Sequence, residues 1–516
     1  MKLAGRGFLY PLPAEKENKM KRITLILTLS FFVGFAASAQ FAEDVLRYSR
    51  TNIGGTARYM GTGGAFGALG ADFTVASVNP AGLGLYKSSE LTITPAVFWQ
   101  KTESSYNGSF GSDSRSNFHL GNIGMVYTSK ALSPRESSGF KRVQFSVGLN
   151  RLKDFNNRIY MQGTNPDNSF LDTYLNEVQG PPQIPFESLE EDAAYGFDLG
   201  LAWWTFLLDI YGDTNNYGYY TPVPYGGVLQ EKTIETKGSM NEWVFSVSTN
   251  YNDRFYIGMT FALPYIRYTQ TSTYRETDVA DTIFDFKQFN RREYLETRGN
   301  GFTFKLGMIY RVSEWLRLGA AFHSPTWYHR MQDYYWASME SFFDNGDNYY
   351  EASPDGNFDY RMETPLRAIG SAAIIFGQQG LISLDYEYRD YGAGKLKDYN
   401  NRFNDQMRVQ NDIIRDSYRG THNFRVGTEW RYQVFSFRGG FGYAGSPYES
   451  GINDGETFTY SAGIGFRTKV FFADLAYVHS RTKQDYFLYL TDEIYTNPVN
   501  NTFKTNNIML TLGIRY

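Results

Sequence analysis

The chain has 516 residues and a formal net charge of −4, a balance that gives no reason to expect a nucleic-acid partner. It contains no Cys, which excludes disulfides and thiolate metal sites. Aromatic residues make up 17% of the chain and Gly numbers 50, a mix suited to strands and tight turns, while a mean hydropathy of −0.43 excludes a bundle of membrane-spanning helices.

The first signal in chain order is an export segment. Met20, Lys21 and Arg22 precede an apolar run from Ile23 to Phe35, which Ala37-Ser38-Ala39 follows. A charged head, an apolar centre and small residues at a cleavage point predict a signal peptide cut before Gln40. The run is short for a membrane span. Residues 1–19 read as an upstream extension, so the first 39 residues fall outside the mature fold.

Residues 40–89 show no strand period. Gly61, Gly63, Gly64, Gly67 and Gly70 lie within it. Their spacing is not that of a nucleotide-binding loop, and no Gly-Lys-Ser/Thr follows. Small residues in this density predict compact irregular backbone. Asn79-Pro80-Ala81-Gly82 then forms an elbow ahead of the first strand. Pro80 fixes its own φ and pushes Asn79 out of the helical region, and the Asn79 amide can close a turn. The segment reads as a small plug, and its elbow either gates a path or simply makes a rigid turn.

From residue 90 the dominant period is two. Phe302, Phe304, Leu306, Met308 and Tyr310 alternate with Thr303, Lys305, Gly307, Ile309 and Arg311. Phe424, Val426, Thr428, Trp430 and Tyr432 alternate with Arg425, Gly427, Glu429 and Arg431. The pattern predicts an all-β fold, a transmembrane antiparallel β-barrel of about fourteen strands with the plug inside its lumen. The strands are expected to start near residues 90, 117, 141, 240, 254, 292, 315, 358, 380, 418, 434, 456, 470 and 505. Tight turns are expected at Asn252-Asp253, Ser313-Glu314, Gly377–Gly380, Tyr432-Gln433 and Thr468-Lys469. Long external connections are expected over roughly 153–239, 275–291, 333–357, 391–417, 446–455 and 489–504. Trp243, Tyr251, Trp315 and Tyr328 are expected in interfacial girdles.

Four lumen arginines, Arg317, Arg389, Arg425 and Arg431, are candidates to brace the plug or to hold a ligand carboxylate, although any wet lumen carries polar side chains. Trp203, Trp204 and Phe206, in the longest connection, are either an external landing site for an apolar ligand or part of a helix packed on the rim. The last strand ends at Tyr516, with Ile508, Leu510, Leu512 and Ile514 on the same face. A terminal aromatic on such a strand resembles the signal read by outer-membrane assembly machinery.

The five His show no helical zinc spacing, and no G-x-S-x-G elbow occurs, so neither a metal centre nor a catalytic site is expected. Asp344, Asp347, Asp355 and Asp359 share one loop without EF-hand spacing and read as solvated. No cofactor is expected.

The glycine-rich stretch, the acidic Asp72 and Asn79-Pro80-Ala81 just before the first strand resemble FadL-type outer-membrane transporters. The resemblance implies a fourteen-stranded barrel with an N-terminal hatch, carrying long-chain fatty acids or aromatic hydrocarbons. It implies a hydrophobic small molecule, outer-membrane lipid and lipopolysaccharide as partners, and gating residues at Asp72, Asn79, Pro80, Ala81 and Gly82. The chain departs from that family in placing its longest connection after the third strand. A structural or surface-binding, adhesin-like barrel is the alternative. A general porin would have no need of the hatch motif, and haem capture has too few His to support it.

Overall fold

The computed structural model describes residues 40–516 except 53, 130–138, 214–215 and 492. The expected signal peptide and upstream extension lie outside these residues.

Fourteen antiparallel strands form one closed wall. They are β1 (Glu90–Tyr106), β2 (Ser109–Thr128), β3 (Phe140–Asp154, continued by Asn157–Asn165), β4 (Val228–Tyr251) and β5 (Phe255–Thr277). Next come β6 (Gln288–Arg311), β7 (Leu316–His323, continued by Trp327–Phe342), β8 (Gly356–Glu363, continued by Arg367–Phe376) and β9 (Gly380–Asp390, continued by Lys395–Asp398). The wall ends with β10 (Gly420–Tyr432), β11 (Phe435–Ala444), β12 (Thr457–Arg467), β13 (Phe471–Tyr486) and β14 (Val499–Arg515). Each strand pairs with the next, and β14 returns to β1 in register from Glu90↔Arg515 to Ser105↔Asn500. Tyr516 extends this seam by exchanging two backbone bonds with Ser89, both 3.1 Å.

The side-chain period has the sense a membrane demands. On β6, Phe302, Phe304, Leu306, Met308 and Tyr310 are 38% to 54% exposed, whereas Lys305 and Ile309 between them are 4% and 0% exposed. A soluble sandwich would bury the apolar face and wet the polar one. Here the apolar face looks outward, as it must toward lipid. Asn252 and Gln433 adopt φ of +56° and +54° in two of the short turns, which Asn tolerates better than most residues.

The wall differs from the expected layout beyond the bilayer. The connection expected over 153–239 contains the second half of β3 and the start of β4, whose ladder pairs Asn157–Asn165 with Val228–Thr236. Strands β5 and β6 likewise run on to Thr277 and from Gln288, and β2 starts at Ser109 rather than near 117. These extensions carry polar side chains on both faces, as in Glu231, Lys232, Glu235 and Lys237, so no apolar stripe marks them. Backbone pairing to a neighbour holds them instead. Tyr328 is a second correction. Trp243, Tyr251 and Trp315 are 44%, 41% and 56% exposed, but Tyr328 is 2% exposed and faces inward. The chain leaves the ladder at Ser324–Thr326, and the register shifts again between Tyr328 and Arg330, which breaks the alternation that placed Tyr328 outside.

Three adjacent strands lose their ladder at one level. The breaks fall at residues 324–326 in β7, 364–366 in β8 and 391–394 in β9. Pro325 and Pro365 occupy two of them and have no N–H to donate. Side chains patch the gap. Ser324 Oγ accepts from Phe304 N at 3.0 Å, and Thr364 Oγ1 accepts from Thr326 N at 2.9 Å.

The mouth at the long-loop end is filled. Helices α3 (Leu171–Gln179), α4 (Phe186–Glu191) and α5 (Leu199–Trp204) pack Leu171, Tyr174, Leu189 and Leu201 against Ile234, Tyr274, Phe289 and Met339 of the wall. This lid holds a half-buried acid, Glu177, whose Oε2 is shut off from solvent with no hydrogen-bond partner among the described residues. Burial, with Asp198 adding, pushes its carboxyl from 4.5 up to about 7. The folded lid therefore favours the protonated form, so its stability falls as pH rises from the ordinary carboxylate range through about 7. Proteolysis of the 171–204 segment is expected to speed up several-fold between about pH 5 and about pH 8, and Glu177→Gln is expected to flatten that dependence. An unchanged pH profile in Glu177→Gln would assign the effect to other groups.

Candidate functional site: the hatch and its seat

Residues 40–89 lie within the lumen as α1 (Gln40–Ser49), α2 (Ala57–Gly61) and two short 3-10 turns, Phe73–Ser77 and Pro80–Leu85. Polar caps order each piece. Thr56 caps α2 by accepting from Tyr59 N at 3.2 Å. Asp72 caps the first 3-10 turn through Thr74 N (2.9 Å) and accepts the Thr56 hydroxyl at 2.6 Å, so one carboxylate joins both elements. Ala71 N donates to Gly82 O at 3.0 Å. The chain passes so closely there that a Cβ on Gly82 would lie 2.9 Å from the Gly70 Cα.

Asn79 does more than the turn closure expected of it. Its Oδ1 accepts from Ala81 N at 3.2 Å, closing the elbow. Its Nδ2 donates to Gly67 O at 2.6 Å within the hatch and to Met308 O of β6 at 3.1 Å. One buried amide thus ties two hatch segments and the wall together. Pro80 lies over β5, where a Cβ at Gly258 would stand 2.5 Å from the Pro80 carbonyl. Ala81 is fully buried against Tyr256 and Ile309.

The seat is made of wall glycines on the lumen face. A side chain at Gly307 would strike Asn79, one at Gly319 would strike Gly67, one at Gly427 would strike Thr62, and one at Gly440 would strike Gly63. Their inward position is legible from strand alternation, but their common purpose is not, because the hatch that meets them is remote in sequence.

Charge holds the hatch as well. Asp385 accepts Phe66 N at 2.9 Å and Gly67 N at 3.0 Å. Arg58 donates to Ala71 O and to Glu429, both at 2.9 Å, and Glu429 continues to Arg438 (2.8 Å) and on to Asp474 (2.6 Å). His323 Nε2 donates to Val78 O at 2.7 Å. Of the four candidate arginines, Arg317 reaches Leu69 O at 3.2 Å and Arg389 bonds Ser49 O. Arg425 reaches Glu387 at 2.7 Å, a carboxylate it shares with Arg367 at 2.5 Å. Arg431 pairs with Glu429 at 2.8 Å but is exposed, at the turn end of the wall rather than deep in the lumen. Sequence reading passed over Arg58, which lies in the hatch, and Arg367, which opens the second half of β8 just past its break.

The external aromatics divide. Trp203 stacks on Phe186 at 5.9 Å and donates to Glu190 at 3.1 Å, so it helps build the lid. Trp204 and Phe206 are 50% and 49% exposed. Phe206 meets Tyr349 at 4.5 Å on an outer groove of about 620 Å³ that Tyr220, Tyr225 and Phe284 also line. Beneath the lid, a chamber of about 270 Å³ lies between the hatch and the wall, touching Tyr59, Met60, Phe98 and Arg425. Beneath the hatch, a vestibule of about 410 Å³ faces the short-turn end. The acidic loop residues do not converge. Asp359 pairs with Arg330 at 2.6 Å, and Asp355 accepts from Tyr334 at 2.7 Å.

These features define a transmembrane β-barrel of outer-membrane type, plugged by its own N-terminal segment. The fold is that of three solved structures. A Pseudomonas aeruginosa FadL homologue matches with a TM-score of 0.53 at 12% identity, over 90% of this chain and 98% of the homologue. The Pseudomonas putida toluene transporter TodX matches with 0.51 at 11% identity, over 89% and 97%. The Ralstonia pickettii toluene transporter TbuX matches with 0.50 at 14% identity, over 89% and 98%. No family model and no curated protein matches the sequence.

The seat predicts a contrast between glycines. Gly307→Ala or Gly319→Ala is expected to unseat the hatch at a cost of about 1–3 kcal/mol. Gly370→Ala, where a Cβ meets nothing within 4 Å, is expected to be neutral. Hydrogen exchange of hatch amides checks this, and equal protection in all three variants would mean that the glycines are not the seat.

Proposed function

We propose that this chain is an outer-membrane channel for hydrophobic small molecules, long-chain fatty acids or aromatic hydrocarbons, with the hatch as its gate. The observation that carries the reading is the Asn79 amide, which couples the elbow to Gly67 and to the β6 wall. A purely structural barrel has no need of a folded segment seated this closely. The FadL homologue and the two toluene transporters share the fold, and the toluene named for the two transporters supports an apolar ligand here. The exposed aromatics Trp204, Phe206, Tyr225 and Phe284 form the external capture surface in this proposal, and Asp72, Pro80, Ala81 and Gly82 fix the gating elbow.

The route runs from the outer groove, past the lid, to the chamber beside Tyr59 and Met60. Movement of the hatch opens it further. Asn79→Ala removes three hydrogen bonds from a buried position, each worth about 1 kcal/mol net, which a closed barrel of this size survives. Asn79→Ala and Pro80→Ala are expected to change uptake of a labelled long-chain fatty acid or toluene at least severalfold with normal barrel abundance. The assay uses a strain without its other such transporters. No uptake by the unmutated protein above an empty vector would favour the surface-binding reading, in which the exposed lid aromatics carry the function. Normal uptake in both variants would remove the gating role and leave the channel.

The same reading makes residues 20–39 an export signal, lipopolysaccharide and outer-membrane lipid the surroundings of the wall, and Tyr516 a recognition element for the assembly machinery. Deleting Tyr516 is expected to lower the yield of folded barrel, seen as the fast-migrating band on an unboiled gel. Undiminished yield would show that the terminal residue serves only the Ser89 seam.

A further inference from the structure

The outer face of the closing seam changes from apolar to cationic over four residues. Tyr477, Ile508 and Val97 stand in one row across β13, β14 and β1, and all three are exposed. The next outward row is His479, Asn506 and Trp99. The Trp99 ring lies 6.4 Å from that of Tyr477, and such amphipathic aromatics mark the edge of the hydrocarbon. The row after that is Arg481, Lys504 and Lys101. It lies two residues past Trp99 on the long-loop side, about 7 Å along the strand. Lys483 follows Arg481 on the same face of β13. Side chains opposed in register stand about 5 Å apart at Cβ, where like charges destabilise a ladder. One carboxylate, Glu103, serves two of the four cations, reaching Lys101 at 3.1 Å and Lys504 at 2.6 Å. Arg481 and Lys483 are exposed and have no carboxylate partner among the described residues. Asp485, the next outward residue of β13, accepts from Asn500 at 2.7 Å. Exposed arginines on β6 and β7 carry their own acids instead, Arg298 on Glu296 at 2.7 Å and Arg330 on Asp359 at 2.6 Å.

We infer that this row is a binding surface for the phosphate groups of an outer-leaflet glycolipid, with Arg481 and Lys483 as its principal ligating residues and Lys504 and Lys101 completing it. The inference rests on the reading that lipopolysaccharide surrounds the wall, and it is independent of what the channel carries. A phosphate monoester brings close to two charges and three acceptor oxygens. Arg481 offers it a planar fork, and the lysines offer point charges on long stems that reach down to the headgroup level. The acyl chains of the same lipid then lie along Tyr477, Ile508 and Val97, so one molecule meets both parts of the surface. A soluble polyanion would meet only the upper part. The placement has a consequence for the fold. The row crosses the β14–β1 pairing that closes the barrel, so a bound phosphate removes the repulsion across that seam and stabilises the closed wall by mass action.

The test compares the full chain in phosphatidylcholine vesicles doped with diphosphoryl lipid A and in vesicles doped with the same lipid A stripped of its phosphates. The readout is the temperature at which the fast-migrating band on a gel is lost. The phosphorylated lipid is expected to raise that midpoint by at least about 5 °C. Arg481→Gln with Lys483→Gln is expected to lose most of the rise while keeping its midpoint in the phosphate-free vesicles. Arg408→Gln with Arg415→Gln removes two exposed charges from the connection between β9 and β10 and is expected to keep the full rise. Equal midpoints in the two lipids overturn the proposal, as does a full rise in the Arg481 and Lys483 variant. An equal loss in the Arg408 and Arg415 variant overturns it too, because net charge alone would then explain the effect. Inorganic phosphate giving the same rise at equal concentration overturns the lipid as the source. Insertion separates this inference from the membrane reading beneath it. If the protein inserts but shows no rise, the phosphate surface falls and the barrel stands. If it inserts into neither kind of vesicle, the membrane reading falls.

Discussion

A wall that crosses lipid has no water to satisfy its backbone, so every N–H and C=O must find a partner within it. The pairing of β14 with β1, carried from Arg515 to Asn500 and extended by Tyr516 to Ser89, meets that constraint by leaving no edge. Everything else follows from closure. A closed ring of fourteen strands encloses more space than its own inward side chains fill. The lumen must be wet, or it must be packed by chain from elsewhere. This protein packs it twice, with a lid folded from the connection after β3 and with the hatch folded from residues 40–89.

Packing a plug against a lumen raises a second demand. The plug is irregular backbone, and its donors and acceptors need partners where water is scarce. The wall supplies them in two complementary ways. Gly307, Gly319, Gly427 and Gly440 remove side chains so that hatch backbone can approach. Asp385, Arg389, Arg317 and His323 then supply the bonds that the approach makes possible. Many of these contacts use charge. Breaking one partner of a buried pair costs about 3–5 kcal/mol, so the hatch is held by terms that are individually large. At the elbow the ties to the wall are hydrogen bonds without a carboxylate or guanidinium partner, among them Asn79 to Met308 O and Ser248 to Ala81 O, so motion of the hatch is easiest there.

Alternation made the wall legible in the sequence. Phe302 to Tyr310 and Phe424 to Tyr432 are outward where the period of two put them, and the tight turns at Asn252 and Gln433 fall where turn-forming residues interrupt it. The FadL-type likeness was carried by Asn79-Pro80-Ala81 and the glycines before it, and the fold agrees. What was illegible has specific causes. The strand extensions past the bilayer carry charge on both faces, so residues 157–165 and 228–239 look like loop. Tyr328 turned inward because two irregularities in β7 shift its phase. Arg58 and the seat glycines acquire their roles only from partners hundreds of residues away, as with Arg58 and Glu429. The chemistry of such a site is a property of closure, and alternation reports only the side of the wall.

The wall is not equally strong all round. Between β7, β8 and β9 the ladder is interrupted at one level, and Ser324 and Thr364 hydroxyls do what backbone groups do elsewhere. A hydroxyl patch satisfies a donor as well as a carbonyl does, but its rotor is free once the bond breaks, so it resists opening less than a continuous ladder. Behind this stretch lie Lys305 on Glu242, at 2.5 Å, and Arg367 on Glu387, ion pairs that draw β4 to β6 and β8 to β9 across the lumen side. Side-chain charge thus compensates on the inner surface for backbone bonds lost in the wall. The same device serves the hatch, where Glu429 and Asp385 stand in for a ladder that irregular backbone cannot form. In this barrel, carboxylates and guanidinium groups secure each place that the strand pattern leaves open. On the outer rim of the closing seam the balance differs, because there Arg481, Lys483, Lys504 and Lys101 outnumber the carboxylates.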